Sequence, residues 1–173
     1  DWNKYRESLK KRLGLDNKLI RTLTARAKRN PKRVIFAEAE HYKILKAAQQ
    51  VSDDGIAIPI LLGRKQKIID LIDEFSVEFE HLIIIDHKDE SQKKKRDEYG
   101  DILWEKRKRK GLTQFEARKL MRERNYFGSM MVETGEADAL ISGISRNYRT
   151  TIKPALEVIG KLDGVKKVAG MYI

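Results

Sequence analysis

Three nearly continuous apolar runs, each separated from the next by an amphipathic stretch, constrain this chain more than any other feature. They are Val34-Ile35-Phe36-Ala37, Ile58-Pro59-Ile60-Leu61-Leu62 and Leu82-Ile83-Ile84-Ile85. None alternates apolar with polar residues, so each reads as a strand buried on both faces. Pro59 lies near the start of its run, where a lost backbone donor is tolerated. Between the runs the apolar residues recur at helical spacing, with Ile44, Leu45, Ala48 and Val51 in the first interval and Ile68, Ile69, Ile72 and Phe75 in the second. Gly55 closes the first helix and Gly63 turns the second strand into its helix. Strand and helix alternating in this way predict an α/β fold, an open, mostly parallel sheet flanked by helices.

The rest of the chain extends the pattern. Trp2, Tyr5, Leu9 and Leu13 lie at helical spacing before Gly14, and a second helix is expected after Asp16, carrying Leu19, Ile20, Leu23 and Ala27 and ending at Asn30-Pro31. Residues 1–30 thus read as a basic helical linker, and residues 31–173 as the α/β unit. The charged stretch 89–110 predicts a helix exposed along most of its surface, closed by Gly111. Thr113 and Glu116 have the spacing of a capping box at the next helix start. Phe115, Leu120, Met121, Phe127, Met130 and Met131 then continue as one long helix, or as two broken near Asn125. Ala139-Leu140-Ile141 is a fourth strand, and the apolar run from Val165 to Ile173 a fifth. That last run and the missing initiator methionine are expected of the first part of a larger unit.

Composition excludes several classes. No run of about 18 apolar residues crosses a membrane, and no secretory leader is visible. The chain has no cysteine, which removes disulfides and zinc–thiolate sites and fits a cytoplasmic protein. The net charge is +11, but residues 1–33 carry 12 lysines and arginines against 3 acids, so most of the excess lies on the leading helices. Without a nucleic-acid motif or an aromatic platform, solvated helix faces explain this charge better than a nucleic-acid footprint.

The chain contains no phosphate-binding P-loop, dinucleotide glycine fingerprint or nucleophile elbow. His41, His81 and His87 are scattered, without metal-ligand spacing, and read as surface or loop residues. Glu38 and Glu40 stand at the carboxyl end of the first strand, where they could face the sheet crevice or merely favour the next helix N-terminus. The stretch from Ser142 to Thr151 is the better candidate. Gly143 allows close backbone approach, Ser142, Ser145, Thr150 and Thr151 supply hydroxyls, and a helix N-terminus follows, with Arg146, Arg149 and Lys153 nearby. Such a loop can hold a phosphate or carboxylate, or its hydroxyls can simply cap the helix.

Several longer motifs, in order, resemble the phosphate acetyl/butyryltransferase family. They are Arg33 to Glu40 with Leu45-Lys46-Ala47-Ala48, Arg107 to Thr113 with Glu116-Ala117-Arg118, Tyr126 to Val132, Gly135 to Ala139 with Ser142-Gly143, and Ile152 to Leu156. The leading basic helix ending in Leu13-Gly14 is similar to the linker that joins such a domain to the catalytic domain in large bacterial malic enzymes. The resemblance implies the first lobe of an isocitrate dehydrogenase-like phosphotransacetylase domain. In a malic enzyme it would act as a regulatory, acetyl-CoA-sensing and oligomerising module.

The parent would then decarboxylate malate to pyruvate with NADP and a divalent metal (Mg or Mn), both held outside this chain. The partners so implied are acetyl-CoA or a related acyl-CoA or acyl phosphate, the N-terminal malic enzyme domain and further copies of the chain. Arg107 matches a family arginine that holds the acyl phosphate. Lys153 stands where the family has a second, phosphoryl-binding arginine, and lysine keeps the charge but loses the bidentate fork. Asn147-Tyr148-Arg149-Thr150-Thr151 replaces a segment of small polar residues. The family's catalytic serine and aspartate belong to a second lobe, so no catalytic residue is assigned here. The expected ligand set is Arg107, Ser142, Gly143, Ser145, Thr150, Thr151 and Lys153, with an active phosphate acetyltransferase as the alternative.

Overall fold

A computed structural model describes residues 2–6, 18–79 and 82–168. The expectations for Leu9, Leu13, Gly14, Asp16 and His81 fall outside these residues. Residues 2–6 are helical (α1), and α2 spans Lys18–Arg29. The α/β unit follows as β1 (Lys32–Phe36), α3 (Tyr42–Asp53), β2 (Ala57–Leu62), α4 (Lys65–Glu74), β3 (Ile83–Ile85), α5 (Lys93–Arg107), α6 (Gln114–Leu120), α7 (Arg124–Glu133), β4 (Ala139–Ile141) and α8 (Tyr148–Val158). Short 3-10 turns, Glu90–Gln92 and Lys108–Lys110, flank α5.

All the strand pairings are parallel and the order is β3-β2-β1-β4. Because successive strand residues point to opposite faces, the apolar runs divide cleanly. Ile35, Ala37, Ile60 and Leu62 face one core, built with Tyr99 and Leu103 of α5, Ala117 of α6, Phe127, Met130 and Met131 of α7 and Val158 of α8. Phe36 and Leu61 face the other, against Leu45 and Ala48 of α3 and Ile68 of α4. Each such large side chain, fully buried, stabilises the fold by about 1.5–3 kcal/mol, so this two-sided burial is what selects the parallel sheet.

The helix over 89–110 differs from the sequence expectation. Arg96 is buried, and its guanidinium donates to the carbonyls of His87 (2.9 Å) and Asp89 (2.6 Å). Tyr99, Gly100 and Leu103 are buried beside it. A Cβ on Gly100 would come within 2.6 Å of the Arg118 Cα, so α5 and α6 touch through this glycine. A charge-dense sequence therefore hides a narrow buried stripe, Arg96, Tyr99, Gly100 and Leu103, at i, i+3, i+4 and i+7. The Met-rich stretch is two helices, broken at residues 121–123, with the expected capping box at Thr113.

The expected fifth strand does not form over Val165–Val168, which pair with no strand, and residues 169–173 lie outside the described residues. An apolar run makes a strand only where a neighbour accepts its ladder.

Candidate functional site

The strand order reverses direction at β1, with β2 on one side and β4 on the other. In open α/β sheets the crevice beyond the carboxyl ends of two such strands is where ligands bind. Glu38 follows β1 and the loop Ser142–Ser145 follows β4, so both stand at that switch point.

The two are joined directly. The Glu38 carboxylate accepts from the backbone amides of Gly143 (2.8 Å), Ile144 (2.6 Å) and Ser145 (3.0 Å), and from the Ser145 hydroxyl. Gly143 has φ of 117°, a conformation that disfavours side chains and turns successive N–H groups towards one point. Glu38 is buried. Burial pushes its carboxyl up, but the Ser145 hydroxyl and the three amides outweigh that and hold it below the ordinary carboxylate range. The loop is thus an anion-binding nest, and the anion it holds is a side chain of the same protein.

The remaining candidates fall into two further groups. Asn147 caps α8, accepting from the Thr150 amide (2.9 Å), while the Thr150 and Thr151 hydroxyls both donate to the Asn147 carbonyl (3.0 Å). The cap is thus the Asn147 side chain, and the two threonine hydroxyls are donors within the first turn of α8. Arg107 and Lys153 meet elsewhere, on either side of Glu157, at 3.4 Å and 4.0 Å. Glu157 also accepts from the Tyr126 hydroxyl, whose pKa burial raises, helped by that carboxylate.

Arg107, Tyr126, Lys153 and Glu157 line a groove of about 650 Å³ between the end of α5, α6, the start of α7 and the second half of α8, with Lys119 and Arg122 along it. That volume is in the range that accommodates an organic ligand. Asn125 ties the loop to α8: the Ser142 hydroxyl donates to its Oδ1 (2.9 Å), and its Nδ2 donates to the Thr150 carbonyl (3.5 Å). Arg146 pairs with Glu123 on the groove lip (3.7 Å), so loop and groove adjoin.

Asn125, Tyr126 and Glu157 are the site residues that the sequence did not single out, whereas Glu38 does face the sheet crevice, one of the two roles left open for it. Glu157 had a usable signal, since it stands one helical turn after Lys153. Glu38 and Glu40 do more than favour a helix N-terminus: Glu40 is held by Arg64 (2.7 Å) and Lys67 (3.5 Å). His41 caps α3, and His87 is buried rather than exposed. Among the described residues no three His, Cys, Asp or Glu side chains form a metal-binding group. No helix among them is long and apolar enough to cross a membrane.

A four-stranded parallel sheet with an amide nest filled by Glu38 at its switch point and a basic groove beside it is the frame of an open α/β domain. The comparisons narrow this: the phosphate acetyl/butaryl transferase family matches residues 18–173, and the chain belongs to that family. It is 35% identical over 153 residues to a phosphate acetyltransferase of Helicobacter pylori, covering 88% of this chain and 29% of that protein. It is 30% identical over 172 residues to an NADP-dependent malic enzyme of Haemophilus influenzae, covering 99% of this chain and 23% of that one. The EutD phosphotransacetylase from Staphylococcus aureus superposes with a TM-score of 0.74 at 29% identity, over 86% of this chain and 44% of its own. The chain spans less than half the length of each of these relatives.

Proposed function

We propose that this chain is the first lobe of a phosphotransacetylase-like regulatory domain in an NADP-dependent malic enzyme, and that it senses acetyl-CoA and joins copies of the parent. In this reading the parent carries out oxidative decarboxylation of malate, with NADP and the divalent metal held by another domain. The observation that carries the reading is the extent of the Haemophilus influenzae match, 99% of the chain. At 172 of 173 residues it takes in the leading helices, while the Helicobacter pylori transferase match covers 88% of the chain. The groove supports binding rather than turnover, because lysine at 153 presents one point charge where a bidentate fork would grip a phosphoryl group, and Glu157 already engages both cations. Acetyl-CoA titrated into the full-length protein tests this. Saturable binding that weakens in Arg107→Ala is expected, and unchanged affinity removes Arg107 from the pocket.

The second reading is a working phosphate acetyltransferase, moving acetyl between CoA and phosphate. It is favoured by the retained Arg107 and by the phosphate acetyltransferases among the relatives. Here the groove would position the acyl phosphate, and a base in the missing lobe would take the thiol proton. Robust acetyl phosphate turnover by the full-length protein selects this reading and rejects a purely regulatory one.

A further inference from the structure

The groove at Arg107 contains three lysines, Lys110, Lys119 and Lys153. They differ in what stands beside them. Lys153 Nζ lies 4.0 Å from the Glu157 carboxylate, one turn along α8, and the Arg107 guanidinium reaches the same carboxylate at 3.4 Å. Among the described residues neither Lys110 nor Lys119 forms an ion pair.

The other acids of the groove are already committed. Glu116 closes the capping box, accepting from the Thr113 amide (3.0 Å) and hydroxyl (2.7 Å). Glu123 pairs with Arg146 (3.7 Å). Glu157 is thus the groove carboxylate that stands by a lysine. Its Oε2 accepts from the Tyr126 hydroxyl, which leaves Oε1 turned to Arg107 and Lys153. The Lys153 side chain is 61% exposed, so its amine is open to whatever the groove holds.

Residue type decides what this pair can do. An arginine at 153 would stay protonated and could only bind an acyl donor. A lysine amine, once it has lost a proton, is also a nucleophile. Lys153 therefore brings a nucleophile and a proton acceptor together in the groove.

We propose that Lys153, with Glu157 as its proton acceptor, is a modification site: an activated acetyl group bound in the groove acetylates its Nζ, and the groove then holds further donor more weakly. This acetylation rests on the acetyl-donor role proposed above for the groove, and adds a covalent record to it. Lys153 first gives one proton to solvent. Its lone pair then forms the N–C bond to the acetyl carbonyl carbon, whose π pair moves to oxygen. A second N–H proton passes to Glu157, directly or through one water. The carbonyl re-forms, and the C–S bond of a thioester or the C–O bond of acetyl phosphate breaks, its electron pair leaving with sulfur or oxygen. Glu157 returns its proton to that leaving group. The products are the acetylated lysine, a free thiol or hydrogen phosphate, and the proton released at the start. Acetylation removes the Lys153 charge, so Arg107 alone faces Glu157 and the groove attracts anions less.

The test incubates the full-length protein with acetyl-CoA and, separately, with acetyl phosphate, and follows each lysine by peptide mass spectrometry. Acetylation of Lys153 should saturate with donor concentration and outrun that of Lys110 and Lys119 by roughly tenfold or more. Reaction with either donor alone supports the proposal and assigns that donor. Glu157→Gln should slow Lys153 acetylation by roughly tenfold or more without weakening donor binding. After incubation the wild-type protein should bind acetyl-CoA about fivefold more weakly. Lys153→Arg, which keeps the charge and cannot be acetylated, should show no such loss. A rate at Lys153 that matches Lys110 and Lys119 and rises linearly with donor is solution chemistry and overturns the proposal, as does a wild-type rate in Glu157→Gln. Saturable acetyl-CoA binding that leaves Lys153 unmodified by both donors overturns it while the sensing reading stands. An absence of saturable binding overturns both.

Discussion

Glu38 at the end of β1 accepts a hydrogen bond from the backbone amide of Gly143 after β4, 2.8 Å away and 105 residues later. With the amides of Ile144 and Ser145 this contact pins the switch-point loop to the first strand. Replacing Glu38 by alanine leaves three amides unanswered beside a buried gap. The expected loss of stability is about 1–3 kcal/mol. Urea unfolding should show a lower midpoint at unchanged slope. A midpoint equal to wild type would mean that water satisfies the loop as well as the carboxylate does.

Gly143 is needed for its backbone angle rather than for space. A Cβ there would meet Thr151 at an ordinary 3.6 Å, but φ is 117°. Gly143→Ala should therefore destabilise by about 1–3 kcal/mol through strain alone. Gly100→Ala should do comparable damage for the opposite reason, since its Cβ would press on the Arg118 backbone at 2.6 Å and push α6 outward. The two separate in a ligand titration. Moving α6 shifts the groove wall at Lys119 and so weakens acetyl-CoA binding, if the groove is its site.

How much of this was legible follows from the range of each interaction. The central strands β1 and β2 were readable because burial on both faces leaves an unbroken apolar run. The edge strands β3 and β4 have the same apolar pattern yet leave Ile83 and Ile141 exposed. The helices α3 and α4 were readable because one face repeats every turn. The capping box needs only three residues and was visible as such. Arg96 was hidden within Lys93-Lys94-Lys95-Arg96, since nothing local tells which member of a charge run turns inward to the His87 carbonyl. The nest is the sharper case. Ser142 to Ser145 showed the composition of an anion site, but that Glu38 fills it depends on β4 pairing beside β1. The apolar end from Val165 gave a strand pattern, yet Val165–Val168 find no ladder.

Two groups predict acid sensitivity. The Arg64 guanidinium, against the opposing effect of burial, holds the Glu40 carboxyl at about 2. A depressed acid stabilises the fold above its unfolded pKa, about 4.3, and that contribution fades as pH falls towards 2. His87 acts in a higher window. Its pKa of about 4 lies below the ordinary value, mainly through burial, so the unfolded chain takes up its proton first and stability falls between about pH 6.5 and 4. Thermal melts across pH 3–7 should flatten below about pH 4.5 in Glu40→Gln and, separately, above about pH 4 in His87→Phe. Parallel curves for all three proteins would discount both groups.

Glu157 sits between Arg107 (3.4 Å) and Lys153 (4.0 Å) and accepts from the Tyr126 hydroxyl. An anionic ligand in the groove must compete with this carboxylate for both cations. Glu157→Gln keeps the shape, retains an acceptor for Tyr126 and removes the competing charge. One unit charge at about 4 Å in a watery groove is worth about 1 kcal/mol, so acetyl-CoA or acetyl phosphate should bind roughly fivefold tighter. The gain should shrink as salt rises. The double variant Glu157→Gln with Arg107→Ala should lose it, because the freed cation is then absent. If Glu157→Gln instead weakens binding, the carboxylate positions Arg107 for the ligand rather than occupying it, and the groove is assembled by this ion pair.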